Sequence, residues 1–203
     1  MTQALRKLNF EEYASLDAED WVELGLPEGR CEYVENEELK ELPPESRLNL
    51  LIARYLSRCF EQIGIPFELI YTHAFEIEVP VTEQAEEKTR YPDLVILHPD
   101  HLELTKNRAT ITRKMLPPQL IAEVVSSGEE NERRDYQAKR KQYQMRGIPE
   151  YWLIDPSRAV VLVLTLVGST YEAAEFLGTD CIQSPTFQAL SLTAQQVLSA
   201  GEA

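Results

Sequence analysis

Two acids stand in stretches that otherwise read as buried strands. Asp93 opens the run Pro92-Asp93-Leu94-Val95-Ile96-Leu97, and Glu123 lies inside Leu120-Ile121-Ala122-Glu123-Val124-Val125. A carboxylate in an apolar strand is costly unless it is paired or binds a metal. One such acid is most simply a turn cap or the partner of a nearby arginine. Two on adjacent core strands shift the balance, because carboxylates sharing a pocket repel and a hard divalent cation relieves the repulsion. Mg²⁺ typically uses one or two protein carboxylates, with waters and substrate phosphate oxygens completing its shell. Farther along, Asp135, Lys139 and Tyr143 recur at i, i+4 and i+8, on one face of a helix. Alone, that face is an ordinary Asp–Lys pair with a buried Tyr. Its position is what matters, because the helix follows directly from the strand end that carries Glu123. The two carboxylates are therefore expected on neighbouring strands and on one face of the sheet, with Lys139 pointing toward them.

Other polar candidates are weaker. His98 and His101 flank Pro99-Asp100 in a spacing that zinc could use. Pro99 and the absence of a third His or a Cys nearby make an exposed loop the better reading. Tyr151 and Trp152 read as core residues, with base stacking the lesser alternative.

The elements that must hold these residues follow from periodicity. Asn9 with Glu12 forms a capping-box pattern for a short helix. Residues 31–42 read as two short strands around a Glu35-Asn36 turn. After Pro43-Pro44, Leu48, Leu51, Ile52, Tyr55, Leu56, Phe60 and Ile63 recur at helical spacing, closed by Gly64. Phe75, Ile77 and Val79 alternate with Glu76 and Glu78 as a half-buried strand. Residues 81–90 read as an exposed loop. A basic helix over 131–146 ends at Gly147, and Tyr151-Trp152-Leu153-Ile154 is a strand ended by Asp155-Pro156. Residues 159–166 and 171–176 form a hairpin around Gly168-Ser169, and Thr193 with Gln196 caps a last short helix. A β-meander followed by β-α-β predicts an α/β (α+β) fold with a mixed sheet, flanking helices and a C-terminal hairpin. The 203 residues read as one domain, with its core at about 9–180.

Composition excludes several classes. With 43% hydrophobic and 27% charged residues, the chain is neither disordered nor fibrous. It has no apolar run long enough for a membrane span, and MTQALRKLNFEEY has no apolar signal region. Cys31, Cys59 and Cys181 are too few and too scattered for a disulfide framework, so a reduced, cytoplasmic protein is expected. The net charge of −14 argues against nucleic acid at first sight, but it is unevenly distributed. Residues 1–45 hold thirteen acids and four bases, whereas residues 106–146 hold ten bases and five acids. That second stretch is either a solvated face or a basic patch able to meet DNA phosphates.

The strings PDLVIL, PQLIAEVVS and DYQAKRKQYQMRGIPEYWLID resemble the Uma2 family, also described as domain of unknown function 820. The resemblance runs from about Asn9 to Asp155 and is densest over 91–155. It implies a restriction endonuclease-like fold and the site of the PD-(D/E)xK nucleases. There Asp93 and Glu123 would bind Mg²⁺ or Mn²⁺, the carbonyl of Val124 would add a ligand, and a lysine would help activate the attacking water. The superfamily lysine would fall at Val125. The Uma2 pattern carries it instead on the following helix with Gly eight residues on, which matches Lys139 and Gly147. Asp135 and Tyr143 match accompanying positions, and Glu32 matches an early family glutamate. Cys31 and Asn36 stand where Tyr and Gly are usual, and Arg47 or Asn49 stands near the usual His.

The resemblance therefore implies a metal-dependent endonuclease hydrolysing DNA phosphodiesters and acting as a homodimer, with Lys139 orienting water or stabilising developing phosphate charge. The apolar segment Ala159–Val167 is the sequence candidate for a dimer interface, with packing on the chain's own helix equally open. A nuclease fold that has lost cleavage and binds nucleic acid or protein is the main alternative, supported by the altered early motif and the isoelectric point near 4.7. An acidic DNA mimic is a third reading, but a mimic has little need of a buried carboxylate pair.

Overall fold

The computed structural model describes residues 8–35 and 38–200. Two short helices open it, α1 (Phe10–Ser15) and α2 (Ala18–Glu23). In α1 the Asn9 side chain accepts from the Glu12 amide while Glu12 accepts from the Asn9 amide. This is the reciprocal cap the sequence predicts. Strands β1 (Cys31–Tyr33) and β2 (Leu39–Glu41) pair antiparallel. Asn36, half of the turn expected between them, lies outside the described residues. Helix α3 (Arg47–Gln62) starts at the Ser46 cap and buries Ile52, Ala53, Leu56 and Phe60. Gly64, at φ +92°, lets the chain turn away after it.

The strands that follow are β3 (Ile70–Thr72), β4 (Glu76–Glu78), β5 (Thr89–Arg90) and β6 (Leu94–Ile96). Helix α4 (His101–Leu104) and β7 (Thr110–Ile111) lead to β8 (Leu120–Val124). One continuous helical segment comes next: α5 (Glu129–Arg133), a π-helical stretch over Arg134–Lys139, and α6 (Arg140–Arg146). Gly147 ends it in the left-handed conformation. Strands β9 (Glu150–Asp155), β10 (Val160–Val167) and β11 (Thr170–Leu177) and helix α7 (Ala194–Leu198) complete the chain.

The main sheet has the order β11-β10-β9-β8-β6-β3. Only β8 and β9 run parallel within it, bridged by the α5–α6 segment, so this is a mixed α/β sheet built around one βαβ crossover. Each face carries a core. On one, α3 and α7 cover Leu94, Ala122, Trp152, Val161 and Val163. On the other, Tyr143 of α6 packs with Val95, Ile121, Tyr151, Leu153 and Leu162. Burying an aliphatic or aromatic side chain of this size contributes about 1.5–3 kcal/mol, so both faces are strongly held. Val160–Leu164 of the C-terminal ribbon are all buried within the chain's own two cores. The exposed edge of the hairpin is β11 instead.

Two features differ from expectation. The alternating strand β4 leaves the main sheet and forms a small sheet of order β5-β4-β7. The end of the segment expected to be an exposed loop is strand β5, and Thr89 and Arg90 are buried. Thr89 Oγ1 accepts the Tyr33 amide at 2.8 Å. Arg90 is 1% exposed and donates to Glu32 at 2.9 Å, Glu87 at 3.0 Å and Gln142 at 2.8 Å. A guanidinium can be buried when its fork meets carboxylates, and this one meets two.

Candidate active site

Sheet register brings the two strand acids together. β6 pairs antiparallel with β8 so that Leu94 faces Ala122 and Val95 faces Ile121. The next position outward sets Asp93 across from Glu123. By alternation both point to the side of Val95 and Ile121, beneath the α5–α6 segment. Both are buried, and each has hydrogen-bond partners. Asp93 Oδ2 accepts the Val124 amide at 2.6 Å. Glu123 Oε1 accepts from the Tyr143 hydroxyl at 2.7 Å, and its Oε2 from Lys139 Nζ at 2.7 Å.

Asp135, Lys139 and Tyr143 do share a face. Lys139 Nζ lies 3.3 Å from Asp135 Oδ1, and Arg134 grips both oxygens of Asp135, at 2.9 and 3.2 Å. The π-helical turn holds Asp135 and Lys139 within its span. Its i→i+5 bonding widens the turn, and such bulges are frequent at functional sites. Tyr151 helps hold that turn, donating to the Asp135 carbonyl at 3.2 Å.

Burial and charge set the protonation states. Burial lowers the proton affinity of Lys139, but Glu123 and Asp135 outweigh it and hold the ammonium above its ordinary range. Burial would lift Asp135, yet Lys139 and Arg134 hold it below the ordinary carboxylate range. At Glu123, burial is the largest influence. Asp93 and Asp135 add to it, Lys139 opposes it, and the carboxyl is pushed up. Burial and Glu123 together push the Tyr143 hydroxyl well up, so it stays a donor. The site thus combines a fixed cation with a carboxyl group lifted above its ordinary range.

These groups open on a cleft of about 210 Å³. Asp93, Glu123, Val124, Lys139 and Arg134 line it, as do Glu32, Glu45 and Asn49. Glu32 reaches the cleft but is pinned by Arg90. The Val124 carbonyl faces Asn49 Nδ2 at 3.4 Å, the residue near the place where the family usually has His. His98 and His101 make no metal group with a third ligand among the described residues. His101 is buried, and one of its ring nitrogens lies 2.8 Å from the Leu116 carbonyl.

The family model described as "Putative restriction endonuclease" matches residues 10–195. The chain belongs to the Uma2 family. A solved structure described as a putative nuclease belonging to DUF820, from Anabaena variabilis ATCC 29413, superposes with a TM-score of 0.61 at 15% identity. The match covers 92% of this chain and 99% of that one. At that identity the likeness is one of fold, and it is the nuclease fold that the sequence resemblance implies. No curated protein matches the sequence.

Three polar neighbours of this Uma2 site carry no clear sequence signal. Arg134 precedes Asp135 in a run of bases and is indistinguishable from them by type. Glu45 follows two prolines, and His73 follows an unremarkable strand, yet both come to Asp93. The basic stretch 106–146 also looks different in three dimensions. Lys106, Arg108, Lys114, Arg134 and Lys139 form ion pairs within the chain, and Arg146 donates to the carbonyls of Thr112, Met115 and Leu116. Arg113, Arg133, Arg140 and Lys141 make no ion pair among the described residues. No helix among the described residues is long and apolar enough to cross a membrane.

Proposed function

We propose that this Uma2 protein is a divalent-metal-dependent endonuclease acting on DNA phosphodiesters. One observation carries the reading. Val125 stands where the superfamily lysine would fall, and Lys139 reaches Glu123 from the following helix instead, at 2.7 Å, beside a second buried carboxylate, Asp93, that lines the same cleft. Asp93, Glu123 and the Val124 carbonyl form an oxygen donor set that fits Mg²⁺ or Mn²⁺. When bound, such an ion supplies charge to the phosphate and makes water more acidic. Lys139 lies where an ammonium can orient water and offset charge developing on the phosphate. Asp135 and Tyr143 act as positioning residues, holding Lys139 and Glu123 in place. Arg133, Arg140 and Lys141 are the candidates for DNA phosphate contacts.

The test is conversion of supercoiled plasmid to nicked or linear DNA with Mg²⁺ or Mn²⁺. The parent should cleave, and Glu123→Ala should lose at least about 100-fold in rate, because the ion that would offset transition-state charge loses a carboxylate ligand. No cleavage by the parent with either ion would favour a second reading, a nuclease fold that binds nucleic acid or protein without cutting. The carboxylates of Glu32, Glu41 and Glu45 along the cleft favour that reading, because they repel a phosphate backbone.

A homodimer belongs to the same proposal. β11 is an eight-residue edge strand with no further strand beyond it among the described residues; the amides of Tyr171 and Leu177 donate to Gln144 and Asp180, and Glu172, Ala173, Ala174 and Glu175 between them are exposed. A dimeric mass at micromolar concentration is the expected result, and a monomeric mass would defeat this part of the proposal.

A further inference from the structure

Glu45, His73 and Asp93 each offer a ligand atom, and these atoms all lie within 4.8 Å of one another. The three come from separate parts of the chain: the loop before α3, the turn between β3 and β4, and the residue before β6. His73 is the unusual member. It adopts φ +54°, a left-handed conformation that non-glycine residues rarely take. Its side chain is 11% exposed, yet both ring nitrogens are buried without a hydrogen-bond partner.

Nδ1 lies 3.2 Å from Asp93 Oδ1, but off the line a hydrogen bond requires. That offset is what two ligands on one ion would show. Adjacent corners of a coordination octahedron with bonds of ~2.1 Å stand about 3.0 Å apart, and opposite corners about 4.2 Å. An ion between two such ligands lies to the side of the line joining them.

The neighbouring groups suit this role. Asp93 Oδ2 is held by the Val124 amide, which leaves Oδ1 facing His73. Arg30 fixes Glu45 through Oε1 at 2.7 Å, while among the described residues Oε2 meets only a long 3.4 Å contact from Asn49. Orienting contacts of this kind commonly support metal-bound carboxylates. Glu123 differs, since both its oxygens already accept short bonds from Tyr143 and Lys139.

We propose that Glu45, His73 and Asp93 form a binding site for a divalent transition-metal ion beside the cleft, with Asp93 shared between this site and the Glu123 pair. Imidazole favours Zn²⁺, Co²⁺ and Ni²⁺ over Mg²⁺, so the site selects a different class of ion from an all-oxygen centre. The site does not depend on the cleavage reading and stands whether or not the protein cuts DNA.

The test is titration of the metal-free full chain with Co²⁺, read by its visible absorption and by calorimetry, with Zn²⁺ and Mg²⁺ as competitors. One ion per chain should bind, and Zn²⁺ should displace it at far lower concentration than Mg²⁺. His73→Asn keeps a residue that tolerates the left-handed backbone, and it should weaken Co²⁺ binding by more than about 100-fold, the upper range for loss of a mere orienting partner. Glu45→Gln should weaken it at least about tenfold, and Glu123→Gln should cost less than either. Parent-like binding in His73→Asn would overturn the site. So would a larger loss in Glu123→Gln, which would put the ion between Asp93 and Glu123. If thermal melting shows that His73→Asn does not fold, Glu45→Gln decides alone: a tenfold loss supports the site and unchanged affinity overturns it.

Discussion

Lys139→Ala should lower the single-turnover cleavage rate by about 10²–10³-fold while leaving DNA affinity nearly unchanged. The ammonium is buried against Glu123 and Asp135, so it cannot serve as a surface phosphate contact. Its contribution belongs to the transition state. Arg140→Ala or Lys141→Ala should do the reverse, weakening binding and reducing its salt dependence by about one counterion, with the chemical step intact. The same Lys139→Ala change should cost about 3–5 kcal/mol of stability, because it strips the counter-charge from buried carboxylates. That loss should depend on pH. Without the ammonium, the folded carboxyl of Glu123 rises further above its unfolded value. Between those two values the folded state binds more protons than the unfolded one, so stability falls as pH rises. The variant should therefore lie closest to the parent near pH 5 and farthest near pH 8. Cleavage rates, salt-dependent affinities and denaturant melts at both pH values would check this. A variant that cleaves like the parent would remove the lysine from the mechanism and strengthen the binding-module reading.

How the site could be read from the sequence depends on the kind of signal. Asp93 and Glu123 were legible because each breaks an apolar run, and strand pairing sets such neighbours on one face. The Asp135–Lys139–Tyr143 face was legible from spacing, although the π-helical turn that carries two of its members was not. Nothing in residue type marks that turn. A charge count over 106–146 cannot see pairing across the chain. Lys114 meets Glu11, and Arg108 meets Glu76 and stacks on Tyr13 and Trp21. Both bases thus meet other parts of the chain, Lys114 through an exposed ion pair to the acidic N-terminal segment and Arg108 through a buried glutamate and two aromatic rings. Arg90 was missed for the same physical reason. A polar residue in a polar segment reads as solvated, and only its partners, 58 residues away in the case of Glu32, make it a buried hub.

Arg90→Met should be the most destabilising single change outside the site, at about 3–5 kcal/mol. Arg90 is among the largest fully buried side chains, and its three donor groups tie β1, the 81–88 segment and α6 together. Methionine has a comparable apolar stem, so packing changes little. The cost comes from Glu32, which loses its cation in a buried setting, and from Glu87, which is left with Lys40 alone. Burial works to lift the Glu87 carboxyl, but Arg90 and Lys40 overcome it and hold Glu87 down to about 2. In a chain of this size, each kcal/mol lowers the melting temperature by roughly 2–4 °C, so a fall on the order of 10 °C is expected. Adding Glu32→Gln to Arg90→Met should restore part of that loss, because it removes the charge left unpaired. Glu32→Gln alone should be mild, since Arg90 keeps Glu87. That pair of results also bears on the early glutamate. If Glu32 serves Arg90, Glu32→Gln keeps its cleavage rate and its metal affinity. If Glu32 is a ligand, cleavage falls while the melting temperature holds. A melting temperature for Arg90→Met within about 2 °C of the parent would show that the buried guanidinium is not the tie between the N-terminal hairpin and the helix that carries Lys139.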